Sequence, residues 1–321
     1  MGAAEEIAEA LVHHRSEPDY QRDQRGIPDE DHLVIIIAAL QDPRPAELEE
    51  VAARAIGAIA REEPFDAALP AFLLRRYLDT LAAELGDALG VALAQSFALA
   101  DADPTVIGRA GWLTLLVEAT AVADDERMRP GVTALVGGLR AAWPAQTRID
   151  EIAASVEACL RAVEIVEPGD LVQDAIDQLE RVIGGSYRPG EGLVRDLDGL
   201  RARGSLDDHV RGASALLTAF DITGRLPYSM LAEELIAVAS RARSTDAGLV
   251  IQCETARVLC RLAALHADPD YRGAAVIAGA ADYRAEASRI LAAESVRARA
   301  GTPSAAAAYG LALRDLLRDV R

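Results

Sequence analysis

Apolar side chains recur along this chain at the spacing of an α-helix. Leu48, Val51, Ala52, Ala55, Ile56 and Ile59 fall at i, i+3, i+4, i+7, i+8 and i+11, which places them on one helix face. Leu171, Val172, Ala175, Ile176, Leu179, Val182 and Ile183 repeat the pattern, as do Leu231, Leu235, Val238 and Ala239. No stretch alternates apolar and polar residues between turn signals as a half-buried strand would. The spacing predicts an all-α chain with helices near 3–14, 30–41, 45–62, 66–83, 86–101, 105–123, 128–143, 148–165, 169–184, 206–222, 228–242, 247–266, 280–297 and 303–319. Pro43, Pro45, Pro64, Pro104, Pro144, Pro168, Pro227, Pro269 and Pro303 lie at or near the gaps, where proline suits a first turn and blocks extension backward.

Two stretches read as loops: Ser16 to Asp29, and the glycine-rich Gly184 to Gly204. Long loops are disproportionately functional, although a short hairpin would serve the second equally well. The chain also repeats itself. Ala213, Leu216, Phe220 and Tyr228 match Ala256, Leu259, Ala263 and Tyr271 at an offset of 43 residues, and each set spans a helix, a tight turn and the start of a second helix. A weaker copy runs from Leu113 and Leu116 to Asp124, Asp125, Glu126 and Arg127. One αα-hairpin cannot bury its own apolar face, so repeated hairpins stack. The expected architecture is stacked αα-hairpins closing into a complete or partial (α/α)6 toroid. Residues 1–321 are expected to form a single domain, with a weak division near 144–147.

Composition sharpens this picture. Apolar residues make up 51% of the 321, enough for a large core, while aromatics are only 4%. The net charge is −18 and all 33 cations are arginine. Without lysine there is no Schiff-base or phosphate-loop lysine. The acidic balance argues against nucleic acid and against anionic membranes. The longest apolar run, Leu33 to Leu40, is far too short to span a bilayer and reads as a buried helix. The first residues lack the pattern of a signal peptide. Cys159, Cys253 and Cys260 form no CxxC pair; the last two are seven residues apart, about 10 Å by helical rise, and too far to bridge. A cytoplasmic, reducing setting is expected.

Asp207, Asp208 and His209 open a helix directly after the glycine-rich loop. Two carboxylates beside an imidazole could perform acid–base work, and acids in a first turn also cap a helix. Tyr187, Arg188, Glu191 and Arg195 lie in the loop itself, where they could meet a polar ligand. Glu254, next to Cys253, is a further candidate ligand-binding group. Asp125 and its acidic neighbours fall in a hairpin turn and read as solvated. His13 and His14 are adjacent and point about 100° apart on a helix, so no metal site with His32 is expected. His266 suits a helix end. No cofactor is expected.

These residues also carry a resemblance. Gly192-Leu193-Val194-Arg195, Asp198-Gly199, Leu206-Asp207-Asp208-His209-Val210, Ala215 to Phe220 and Thr223-Gly224 resemble the C-terminal (α/α)6 toroid domains of thioredoxin-domain-containing proteins of the YyaL and spermatogenesis-associated type. Those domains are related to N-acylglucosamine 2-epimerases and other six-hairpin, sugar-active enzymes. Ala256 through Tyr271 resembles the next hairpin, so the likeness covers about residues 184–272. His209 replaces the family's tyrosine, the segment after Arg243 is trimmed, and no thioredoxin-like CxxC part is present. The resemblance implies one of two functions. The first is a degenerate toroid serving as a non-catalytic binding or assembly module, with a small polar ligand, a protein partner or a second copy of the chain. The second is a sugar-active or related small-molecule enzyme with its site at the toroid mouth. A ring centre lined by converging acids and aromatics would favour the enzyme; one filled by Leu and Ala would favour the scaffold.

Overall fold

The computed structural model describes residues 44–123, 125–166, 169–198, 202–242, 247–275 and 281–318. The expected helices at 3–14 and 30–41, the loop from Ser16 to Asp29 and the histidines His13, His14 and His32 lie outside these residues. The chain forms two compact units, Met1–Glu49 and Glu50–Arg321. Of the first, only the opening residues of one helix are described. The division considered near 144–147 falls inside the second unit, where Trp143–Ala145 make a short 3-10 turn.

The fold is all-α, with thirteen α-helices among the described residues. They are α1 (Arg44–Ala60), α2 (Ala68–Thr80), α3 (Ala83–Ala102), α4 (Val106–Ala119), α5 (Met128–Ala142), α6 (Ile149–Arg161), α7 (Leu171–Ser186), α8 (Leu206–Thr223), α9 (Leu226–Ala242), α10 (Leu249–Ala267), α11 (Pro269–Ala274), α12 (Tyr283–Ala300) and α13 (Pro303–Arg318). No helix among the described residues is long and apolar enough to cross a membrane. Local chemistry sets many of the ends. Thr105 caps α4 by accepting from Gly108 N–H, and Gly224 closes α8 in the left-handed conformation. Asp268 and Asp282 cap α11 and α12.

The helices fall into two populations. α2, α4, α6, α8, α10 and α13 pack each on the next, and α13 packs back on α2. Their neighbours on several sides explain why α6 and α13 are buried almost all round. Small residues let these helices approach closely. Gly310 of α13 is one, since a Cβ there would overlap the Phe72 ring of α2 and Val51 of α1. Of the remaining long helices, α3, α5, α7 and α12 each touch two successive members of the first set and α9 packs on α8, with one face buried. α7 is an example, with Leu171, Ala175, Ile176, Leu179 and Val182 inward.

The described residues of the glycine-rich stretch are tied down at several points. α7 runs on to Ser186, and Tyr187–Arg188 then pairs antiparallel with Gly192–Leu193. Beyond that hairpin, Leu197 N–H donates to Thr147 O at 3.0 Å, Ile149 N–H to Arg195 O at 3.2 Å and Gly204 N–H to Leu193 O at 2.7 Å. Gly192 is obligatory here. Its φ is +83°, and a Cβ would collide with His209 Nε2 and press on Val238. Gly192→Ala is expected to destabilise the chain by about 2–4 kcal/mol through left-handed strain and overpacking together. The urea midpoint would check this; a shift within error would mean the hairpin contributes little.

Candidate functional site

The six helices of the first set surround a cavity of about 260 Å³. Its wall is built the same way on every helix. The first residue to reach the cavity is apolar in all six: Ala67 just before α2, then Ile107, Ala154, Val210, Val250 and Ala308. The last is polar in all six: Arg75, Glu118, Arg161, Ser214, Arg261 and Asp315. Side-chain pairs join later lining residues to later ones (Arg75–Glu118, Arg257–Asp315) and earlier ones to earlier ones (Arg211–Glu254), so these helices run in the same direction and their polar ends share one level. Arg75 Nε donates to Glu118 Oε2 at 3.0 Å, and its Nη2 holds the other oxygen, a bidentate pair. Arg257 Nε donates to Asp315 Oδ2 at 2.9 Å. Arg211 Nη2 donates to Glu254 Oε1 at 3.2 Å.

Glu157 is the hub of this level. Its Oε1 accepts from Arg161 Nη2 at 2.7 Å, Ser214 Oγ at 2.9 Å and Thr218 Oγ1 at 3.1 Å, and Arg261 Nη1 lies 3.6 Å away. Burial alone would push this carboxyl up; the charges of Arg161 and Arg261 overcome it and hold the group down at about 2. Arg261 is itself fixed by Thr218 and by Asp221 at 2.8 Å. Glu254 behaves in the opposite way. Burial raises its carboxyl, Arg211 and Arg257 only partly offset that, and Glu157 and Asp207 add repulsion.

Five arginines and four carboxylates therefore face one space in a chain that is strongly acidic elsewhere. Most are mutually satisfied, but Arg257 is not. Its Nε is taken by Asp315, and Nη1 and Nη2 make no hydrogen bond among the described residues. Its side chain is 41% exposed, the most of the five, and that exposure is to the cavity. The Nε of Arg211 is buried and unpaired. Cys253 lines the cavity with its thiol pushed up to about 12 by burial and by Glu294 and Glu254, which makes it a poor nucleophile.

Of the candidate catalytic and ligand-binding residues singled out in the sequence, Glu254 alone is among those lining this cavity. Asp208 is buried at the start of α8 in a capping box. Its Oδ2 accepts from Ser205 N–H and Oγ–H, both at 2.7 Å, and its Oδ1 from Asp150 N–H at 3.2 Å. Burial raises its carboxyl despite the Ser205 hydrogen bonds. His209 is buried too. Its Nε2 accepts from Leu193 N–H at 3.1 Å and its Nδ1 faces Ser205 O at 2.6 Å, which fixes the proton on Nδ1 and commits both nitrogens to backbone. Asp207 is half-buried one position earlier. Tyr187 hydrogen-bonds Glu234, as does Gly190 N–H. Arg188 reaches its neighbour's carbonyl, while Glu191 and Arg195 are exposed. Asp125 grips Arg127 in an exposed turn.

His266 does more than end a helix. Its Nε2 lies 2.7 Å from Oε1 of the buried Glu233, which also accepts from Tyr271 and Tyr283 hydroxyls at 3.0 and 3.3 Å. Trp112 and Trp143 donate to Asp103 and Ser155 and stand outside the cavity wall. No group of three or more His, Cys, Asp or Glu suited to a metal ion occurs among the described residues. No protein-family model matches this chain, and no curated protein sequence matches it.

Proposed function

We propose that the six hairpins close into an (α/α)6 toroid whose central cavity binds a small charged ligand, and that the chain works as a binding module. The packing order of α2, α4, α6, α8, α10, α13 and α2 again supports the toroid, as does the resemblance of 184–272 to the six-hairpin domains. The observation that carries the binding reading is the unpaired outer edge of Arg257, facing a cavity built of arginines and carboxylates. A packed scaffold would place Leu and Ala there, since leaving charged donors without partners in a confined space is costly. The three cysteines are free and buried, which fits a cytoplasmic protein.

One observation favours the enzymatic reading as a second choice. Two cavity carboxyls are pushed in opposite directions, Glu157 down and Glu254 up, the arrangement by which one acid stays ionised while its neighbour can hold a proton. Sugar chemistry has less support than other substrates, because no aromatic side chain lines the cavity among the described residues to stack on a ring.

The test is a thermal-shift screen with carboxylates, phosphates, sugars and amines on the full chain, repeated on Arg257→Met. A ligand at a hundred times its Kd stabilises the native state by about 2.7 kcal/mol. A raised melting temperature that Arg257→Met abolishes is the expected result. A screen in which nothing shifts the melting temperature would overturn the binding reading.

A further inference from the structure

The cavity wall begins apolar and ends polar on each helix. Ala67, Ile107, Ala154, Val210, Val250 and Ala308 form an apolar collar; Arg211 directly follows Val210 and is turned to Glu254, and the other charged groups come one to three helical turns further along. From Val250 to Arg257 the rise is about 10 Å. A ligand that satisfies both ends has an anionic head and an aliphatic body. The head meets the Nη1/Nη2 edge of Arg257, which presents two parallel N–H groups and matches a planar carboxylate. The charge of that head is bounded by its neighbours. Asp315, Glu118 and Glu254 already act on Arg257, so a dianionic head meets more repulsion there than a monoanionic one.

We infer that the central cavity takes an aliphatic monocarboxylate, its carboxylate on Arg257 and its chain within the collar formed by Ile107, Val210 and Val250. This rests on the reading of the cavity as a ligand site and names the ligand class. The collar selects for chain: each methylene moved from water into it strengthens binding roughly fourfold until the collar is full. Arg257 selects for the head, because a lysine in its place keeps the charge and loses the fork.

The experiment is isothermal titration of the full chain with acetate, butyrate, hexanoate and octanoate, beside 1-hexanol, hexylammonium and hexyl phosphate. The expected result is affinity that climbs with chain length, hexanoate binding more tightly than hexyl phosphate, and no binding of the alcohol or the amine. Arg257→Lys is expected to weaken hexanoate about tenfold or more, the worth of a charge-assisted hydrogen bond. Val250→Thr should weaken hexanoate and leave acetate unchanged. Should Arg257→Lys not fold, the comparison of hexanoate with hexanol on the unaltered protein decides the same point. Flat affinity along the acid series, or preference for the phosphate, alcohol or amine, would overturn the inference. If none of these binds but a sugar or another class raises the melting temperature in an Arg257-dependent way, the inference fails and the cavity remains a ligand site. If nothing binds, both fail.

Discussion

Glu233→Ala is expected to destabilise the chain by about 3–5 kcal/mol, the range for removing one partner of a buried charged network. Glu233 sits on α9 with its carboxylate fully enclosed, and three separate elements hand it hydrogen-bond donors: His266 at the end of α10, Tyr271 on α11 and Tyr283 on α12. The substitution removes the only acceptor the three share in these contacts. It also loosens the ring packing around His266, whose centroid lies 5.7 Å from Tyr271 and 5.0 Å from Tyr283. Burial has already pushed the Tyr271 hydroxyl up to about 12, and Glu233 adds to that, so the phenol stays protonated and donating at any ordinary pH. The comparison with Tyr271→Phe is decisive. Alone, that change removes the hydrogen bond to Glu233 and should cost about 1 kcal/mol. In the Glu233→Ala background the hydroxyl keeps only Ser229, so the cost of removing it should be smaller than in the native background. Urea unfolding of the two single variants and the double variant measures this. Additive losses would show that the cluster does not act as a unit.

How much of this is legible in the sequence differs between the helices and the cavity. Helix positions follow from local chemistry that a sequence displays. The expected 206–222 and the observed Leu206–Thr223 agree because Ser205, Asp208 and Gly224 form a capping box and a left-handed stop within one short stretch. The loop from Gly184 to Gly204 is less readable. Its glycines announce bends, but the pairing of Tyr187–Arg188 with Gly192–Leu193 depends on His209 and on the start of α6, contacts distant along the chain. The cavity charges are the least visible. Arg75, Glu118 and Arg161 each follow an apolar helical run and look individually like ordinary solvated side chains. They are nevertheless spaced 43 residues apart, the same offset as the repeat, and Arg211 and Glu254 share it. A repeat of one hairpin brings equivalent positions on adjacent helices level with one another. Opposite charges recurring at that period are therefore a signal of a shared charged layer, and the signal is carried by the amino-acid order alone. Asp208 and His209 draw notice for the opposite reason: they are close in sequence, and their side chains are used to hold the chain locally.

Acid is expected to unfold the chain through Glu157, and the direction can be worked out from its surroundings. Its carboxyl is held at about 2 in the folded state against 4.5 for an ordinary glutamate. A depressed carboxyl contributes stability above the unfolded value, and that stability is lost as pH falls through the window between the two. The linked contribution is on the order of 3 kcal/mol. Glu254 works against it. With its carboxyl raised by burial, it costs stability while ionised, and protonation on acidification relieves that cost. That relief comes above the ordinary 4.5, before the Glu157 window, so the native chain should lose less from pH 7 to pH 2 than Glu157 alone dictates, while the loss below 4.5 is that of Glu157. Glu254→Gln removes the opposing group, so its acid-induced loss should be the steeper of the two. Glu157→Gln should fall by about 3–5 kcal/mol at neutral pH, because Arg161 and Arg261 are then left facing each other across a neutral amide. It should also lose most of its dependence on pH within that window. Denaturant midpoints taken at intervals from pH 7 to pH 2 for the native chain and both variants separate these contributions. A Glu157→Gln profile parallel to that of the native chain would mean that the arginines at the cavity's charged end are held by something other than this carboxylate.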